Sequence, residues 1–426
     1  MKKLMISTLT AITLLTGAIS ASAQEGNGKE VPIETSIKSE QALVNLPKTT
    51  GEYKVGSTTY DWVDTSRKDL LDPKNKRELK VQVWYPSDKA SSKGKKKEPY
   101  LPMTEKGINQ IISTFSFGEL FADVNDINTQ VYKDGRLSTK EKIYPVVLFS
   151  HGLGVSNWNY QWLTRELASQ GFIVVSIDHS HFSFGTEFQD GRFIPTASQF
   201  LPGNSIPQLE EYDDYVNNIW VKDIQFVIKK LGTLNKKDKI FKNKLDLKNI
   251  AAVGHSMGGA AAARALQVEP KIKSAINIDG SFMGLTDTET MTKPFAFIKT
   301  EMSEMFLTGK VEQPLPPGLD PQTEQELREM FHVYNDRYKQ VVTGPAYDIT
   351  IYGGAIHNSF TDMPLLRPYL SGTMYDNDSI FPANPEPIYE VTNRVIVDFL
   401  EKTLNGKKKT ILDRKNFNIP NLKIEQ

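Results

Sequence analysis

The residue best placed for covalent chemistry is Ser256, which stands between Gly254 and Gly258 in "VGHSMGGAAAARAL", residues 253–266. The spacing G-x-S-x-G is weak evidence by itself, because with Gly and Ser each near 7% of residues it arises by chance in about one chain in eight of this length. Its setting is stronger. "NIAAVG" reads as a short buried strand, and "MGGAAAARALQ" is rich in the best helix former. A strand-to-helix elbow exposes a serine hydroxyl at a sharp turn, the geometry of a nucleophile that attacks a carbonyl.

A hydroxyl needs a base to take its proton, and the chain has six histidines. In an α/β-hydrolase the order is serine, acid, histidine, which leaves His332 and His357. His332 falls inside a predicted amphipathic helix beside Phe331 and Tyr334. His357 follows "YDITIYGGAI", just past the last strand, where a loop can swing an imidazole toward the elbow, and it is the expected base. His255 adjoins the serine, so its side chain should turn away from the hydroxyl. His151, in "FSHGLG", lies in a strand-end loop resembling the HG motif that supplies an oxyanion donor. His179 and His181 form an i, i+2 pair with no third ligand nearby, too little for a metal site. Two acids suit the remaining role. Asp279 ends the strand "KSAINID" and Glu301 ends "PFAFIKTE", and strand-end position does not decide between them.

The elements that must position these residues are legible as short apolar runs. "YPVVLFSHG", "GFIVVSIDH", "NIAAVGHS", "KIKSAINIDG", "KPFAFIKTE" and "YDITIYGG" fit strands buried on both faces of a parallel sheet. "LKVQVWYP" alternates instead, as in an antiparallel edge pair. Helical segments intervene: "NWNYQWLTRELASQG", "EEYDDYVNNIWVKDIQFVIKKL", "GGAAAARALQ" and, last, "PIYEVTNRVIVDFLEKTLNG". Strand-helix alternation of this kind predicts one α/β domain, a mostly parallel doubly wound sheet with helices on both faces. Three stretches interrupt it, residues 99–135, 181–210 and about 302–345. Insertions of that size serve as lids, pocket walls or loops. The first holds Ile108, Ile111, Ile112 and Phe115 at i, i+3, i+4 and i+7, one apolar stripe on a helix.

Composition narrows the functional class. The chain has 426 residues, with 51 basic and 51 acidic side chains in balance, which gives no footprint for nucleic acid. The densest basic run, "KGKKKEP" at residues 93–99, sits among Ser, Gly and Pro and reads as a solvated loop. With no cysteine, disulfides, thiolate metal sites, a cysteine nucleophile and a cysteine-linked lipid are all excluded. The opening "MKKLMISTLTAITLLTGAISASAQ" has two lysines, a short apolar stretch and "ASA", the pattern of a secretory signal peptide cleaved near Ala23. The expected organisation is a leader over 1–23, a polar linker over 24–50, a catalytic domain over 51–405 and a C-terminal tail over 406–426.

"VVLFSHGLG", "LASQGFIVVSIDH", "GHSMGGA", "INIDG" and "AIHNSF", in this order, resemble the secreted platelet-activating factor acetylhydrolases, also called lipoprotein-associated phospholipases, over roughly residues 77–400. The resemblance implies an α/β-hydrolase fold and a serine esterase acting on short-acyl phospholipids, with simple short-chain esters close behind and no metal or organic cofactor. It matches the acid to Asp279 and the base to His357, and gives the backbone N–H groups of Leu153 and Met257 as oxyanion donors. The family also implies a lipid-surface role for residues 107–121, beside the plain reading of that stripe as packing. One departure is that Ser281, followed by Phe282, stands where the vertebrate enzymes carry an aromatic residue. The likeness extends to broad carboxylesterases and polyester hydrolases. An inactive binding protein of the same fold is the other alternative, and the three filled triad positions speak against it.

Overall fold

The computed structural model describes residues 44–88, 94–201, 209–286, 288, 290–313, 315, 319–377, 380–382, 384–413 and 419–425. The leader expected over 1–23 and most of the expected linker lie outside them.

Twelve strands occur among the described residues: β1 (Lys54–Lys68), β2 (Lys76–Ser87), β3 (Val131–Lys133), β4 (Tyr144–Ser150), β5 (Ile173–Asp178), β6 (Thr186–Glu187), β7 (Phe193–Ile194), β8 (Leu245–His255), β9 (Ile272–Ile278), β10 (Phe295–Thr300), β11 (Ala346–Ile351) and β12 (Leu422–Glu425). The α-helices are α1 (Glu105–Phe115), α2 (Gln161–Ser169), α3 (Leu209–Asp214), α4 (Val221–Lys237), α5 (Met257–Val268), α6 (Glu301–Leu307), α7 (Pro321–Val342) and α8 (Glu386–Leu404). A π-helical turn, Tyr215–Trp220, joins α3 to α4.

Ten strands form one sheet in the order β12-β11-β10-β9-β8-β4-β5-β2-β1-β3. From β5 to β11 every neighbouring pair is parallel. Parallel strands need crossovers that place helices on the faces, so successive side chains of one strand enter opposite cores. Val146 and Leu148 of β4 join α4 and α5 on one side. Val147 and Phe149 join α2 and α8 on the other. This is the α/β-hydrolase architecture expected from the sequence.

One expectation needs correction. β2 is antiparallel to both neighbours, β1 and β5, yet it lies inside the sheet, with β1 and β3 beyond it. The polar positions of its alternating pattern face protein. Lys80 is buried and its ammonium donates to the Pro102 and Glu187 carbonyls, at 3.3 and 2.5 Å, which fastens the first two insertions to the sheet. The described parts of the expected C-terminal tail, residues 406–413 and 419–425, pack on the domain. Ile411 and Leu412 are buried, and β12 pairs antiparallel with β11 and covers that edge. At the other end, Leu46 is buried and Thr50 bonds the Glu166 carboxylate, so the expected linker is part of the fold by its last residues.

A third apolar cluster stands over the C-terminal ends of the central strands. It gathers the α1 stripe (Ile108, Ile111, Phe115) with Phe117, Phe121, Trp158, Phe184, Met363 and Tyr375. Helix α1 is capped by Thr104, whose side chain accepts the Gly107 N–H and donates to Glu187 Oε1 at 2.5 Å, tying two insertions together. The stripe is therefore packed, with Leu120 left 39% exposed.

Candidate active site

The turn from β8 to α5 carries Ser256 at φ 55° and ψ −125°, a strained conformation for a residue with a Cβ. Both motif glycines are required by contact. A Cβ on Gly254 would lie 2.1 Å from the Gly258 carbonyl oxygen, and one on Gly258 would lie 2.2 Å from that of Ser150. The small residues thus let α5 press against the end of β4 while the serine is thrust out at the turn. The Ser256 N–H is held by the Ile278 carbonyl at 2.9 Å, and its own carbonyl accepts from Gly259 and Ala260.

His357 begins a short 3-10 turn, His357–Phe360, in the segment after β11, and its Nδ1 lies 2.9 Å from Asp279 Oδ2. Asp279, at the end of β9, is fixed in turn by the Thr300 N–H on Oδ1, at 3.0 Å, and by its own N–H to the Ile298 carbonyl. A carboxylate on Nδ1 keeps that nitrogen protonated and leaves Nε2 as the acceptor. Of the two acids left open by pattern, Glu301 is exposed at the start of α6, away from this contact. His332 is exposed on α7.

Ser256 and His357 share a cavity of about 40 Å³ with Leu153, Phe184, Tyr375 and Phe381. A single water needs roughly 10–15 Å³ of such space, so the room suits a group of a few heavy atoms. Among the described residues, the backbone N–H groups of Leu153 and Met257 have no hydrogen-bond partner. Leu153 lines this cavity and Met257 opens α5 directly after the serine, where a helix N-terminus favours negative charge. A larger groove, about 860 Å³, lies between α2, α8 and the stretch around Leu46, and includes none of these residues.

The other histidines take structural places. His151 donates from Nδ1 to the Gly152 carbonyl, at 2.6 Å, and accepts the His179 N–H on Nε2, at 3.0 Å. His179 spans Asp223 and the Ser150 hydroxyl at 2.9 and 3.0 Å and stacks on Trp220, and burial pushes it down to about 4. Burial works against the Asp223 charge, yet the Arg77 guanidinium, bidentate at 3.1 and 2.6 Å, holds its carboxyl well below the usual carboxylate range. His181 lies 3.6 Å from Asp69. His255 lines the cavity shared by Ser256 and His357, but both of its ring nitrogens are engaged away from Ser256, one by Tyr160 and one by the His357 carbonyl. Phe282 is buried against Phe297 and Tyr338, away from the cavity wall.

Sequence reasoning did not single out Tyr160, which bonds His255, or Asp362, just after the His357 turn, whose buried carboxylate accepts the Gln161 and Trp162 N–H groups. Neither stands in a recognisable motif, and these partners lie far along the chain.

The sequence matches the family described as platelet-activating factor acetylhydrolase, isoform II, over residues 38–191 and 231–418. It also matches the alpha/beta hydrolase fold over residues 145–308. The platelet-activating factor acetylhydrolase of Canis lupus familiaris is 23% identical over 414 residues, covering 88% of this chain and 84% of the dog protein. That of Cavia porcellus is 24% identical over 384 residues, covering 85% and 79%. Among solved structures, a ferulic acid esterase from Streptomyces cinnamoneus superposes with a TM-score of 0.68 at 23% identity, over 90% of this chain and all of that one, a likeness of fold.

Proposed function

The chain belongs to the platelet-activating factor acetylhydrolase, isoform II, family, and from that premise we propose that Ser256, His357 and Asp279 are its catalytic triad and short-acyl phospholipids its substrates. It is a carboxylic ester hydrolase of the α/β-hydrolase superfamily. The observation that carries the residue assignment is the buried pairing of His357 with Asp279 beside a strained serine on a shared small cavity.

In this reading the Ser256 hydroxyl attacks the ester carbonyl carbon as His357 Nε2 takes its proton. The carbonyl oxygen becomes an oxyanion facing the N–H groups of Leu153 and Met257. Collapse breaks the ester bond, and His357 returns the proton to the leaving alcohol, the lysophospholipid. Water, deprotonated by the same imidazole, then attacks the acyl-enzyme carbonyl, and as the bond to Ser256 Oγ breaks the imidazolium returns that proton to the serine and the short acid is released. Asp279 holds the ring and stabilises the imidazolium without taking the proton.

The cavity supports short acyl groups: Phe184, Met363, Tyr375 and Phe381 wall the space beside the serine. Contact with aggregated lipid through residues 107–121 would fall to exposed Leu120 and half-buried Ile112, since Ile108, Ile111 and Phe115 are buried. Export is supported by the leader pattern ending at Ala23, and a mature chain beginning at Gln24 by mass spectrometry would establish it. The deciding experiment compares 2-acetyl with long-chain 2-acyl glycerophosphocholine and p-nitrophenyl esters, wild type beside Ser256→Ala. A fluorophosphonate probe should label Ser256 alone. Equal rates at all acyl lengths would overturn the substrate reading, and turnover by Ser256→Ala the triad.

A further inference from the structure

Two buried side chains outside the triad join its separately carried parts. The Gly152 N–H, which can only donate, reaches the Tyr160 hydroxyl at 2.9 Å. The phenol's one proton is then the one directed at His255 Nδ1, also 2.9 Å away. With Nδ1 accepting, His255 carries its proton on Nε2, and that atom lies 3.2 Å from the His357 carbonyl oxygen, which can only accept. The two ends of the chain therefore fix every proton between them. Its members are packed as well as bonded: Tyr160 is 0% and His255 2% exposed, and the His255 ring lies 4.4 Å from that of His357.

We propose that Tyr160 and His255 are positioning residues, a relay that holds the oxyanion turn at Gly152–Leu153 and the His357 backbone in one mutual geometry. The inference rests on the reading of Ser256 and His357 as nucleophile and base. The oxyanion turn follows β4 and the base follows β11, so no local element sets their separation. The relay crosses that gap through the residue next to the nucleophile. Misplacement by an ångström costs a near-attack geometry about 10²-fold in rate, which is the scale of effect such a brace can have. Burial pushes His255 well below the ordinary imidazole range and Tyr160 above the ordinary phenol range, so the proton order persists around neutral pH.

The test uses Tyr160→Phe, His255→Leu, His255→Gln and the double variant Tyr160→Phe with His255→Leu, in the full chain. Active sites are counted by fluorophosphonate labelling carried to completion, and kcat and KM for p-nitrophenyl acetate are expressed per labelled site. The expected result is a loss of about 10- to 10²-fold in kcat for Tyr160→Phe and His255→Leu, with KM within about twofold. The double variant should be little worse than either single one, because a relay cut once is already cut. His255→Gln, which can still offer an N–H to the His357 carbonyl, should recover part of the loss. Unchanged kcat per labelled site with only a lower melting temperature would reduce the pair to packing and overturn the proposal, as would additive losses. Ser256→Ala run alongside separates the two readings, since labelling of that variant refutes the nucleophile and not the relay.

Discussion

The carboxylate of Asp362 accepts the backbone N–H of Trp162 at 2.9 Å and that of Gln161 at 2.8 Å, which clamps the segment carrying His357 to the first turn of α2. Tyr100, from the first insertion, donates its hydroxyl to the same group at 3.0 Å. Three parts of the chain thus meet at one buried acid.

This acid should leave a mark on stability. Burial pushes the Asp362 carboxyl up to about 6, against the pull of its three hydrogen-bond donors. An unfolded aspartate titrates near 3.9, so between about pH 4 and 6 the folded chain keeps a proton that the unfolded chain has lost. The stabilising contribution is full below about pH 4 and lost as pH rises through about 6. Asp362→Asn should abolish this slope and, by turning an amide N–H2 toward N–H donors, cost about 1–3 kcal/mol. Urea denaturation of both proteins from about pH 4 to 7 is the check; stability profiles that run parallel would exclude the titration.

For Asp279 as the proposed acid of the triad, Asp279→Asn should lower kcat by about 10⁴-fold, the scale expected when the imidazole sits in the wrong tautomer. Glu301→Gln should change it less than about twofold, since Glu301 is exposed. Steady-state rates on p-nitrophenyl acetate decide, and the reverse ranking would move the acid one strand later.

What the sequence disclosed follows from the range of the forces involved. The buried parallel strands announce themselves locally, because β4, β5 and β8 to β11 must be apolar on both faces. The elbow is equally local, its glycines imposed by contacts between neighbours such as Gly254 and Gly258. Where a residue's environment is made by distant chain, pattern misleads. Lys80 and Gln82 look solvent-facing, but both are buried, and Lys80 bonds the first two insertions. The run ending in Leu422–Glu425 is too short and polar to announce a strand, and only the open edge of β11 makes it one. The choice of Asp279 over Glu301 came from family likeness, and its hydrogen bond to His357 could not be read from strand-end position. Tyr160 and Asp362 are ordinary residues until His255, Trp162 and Tyr100 are brought to them.

Acyl selectivity should reside in Phe184, whose ring closes the cavity and packs against Phe115 and Phe117 with centroids 4.7 and 5.0 Å away. Phe184→Leu, and more strongly Phe184→Ala, should raise the ratio of kcat/KM for p-nitrophenyl hexanoate over acetate by about tenfold, the scale of one or two methylenes in an apolar pocket. The leucine variant guards against the folding cost of the larger truncation. An unchanged ratio in both would place the selectivity elsewhere on the wall.

Helix α1 provides the last test, because its apolar stripe supports two different outcomes. Ile111 is 0% and Phe115 4% exposed, and both pack with Phe117, Trp158 and Phe184 in the cluster over the site. A large-to-small change in such a place costs about 2–5 kcal/mol through lost burial and an unfilled cavity, and a buried serine hydroxyl adds to it. Ile111→Ser with Phe115→Ser should therefore lower the melting temperature sharply, and the Phe184 wall should loosen with it. Soluble p-nitrophenyl acetate and micellar phospholipid should then lose rate in the same proportion. Leu120→Ser is the contrasting change, since that side chain is 39% exposed and carries little of the packing. It should leave stability and the acetate rate near wild type, and a selective fall on micelles would assign the lipid contact to that residue. A stable Ile111, Phe115 double variant impaired only on micelles would instead mean that the stripe itself turns outward at a lipid surface.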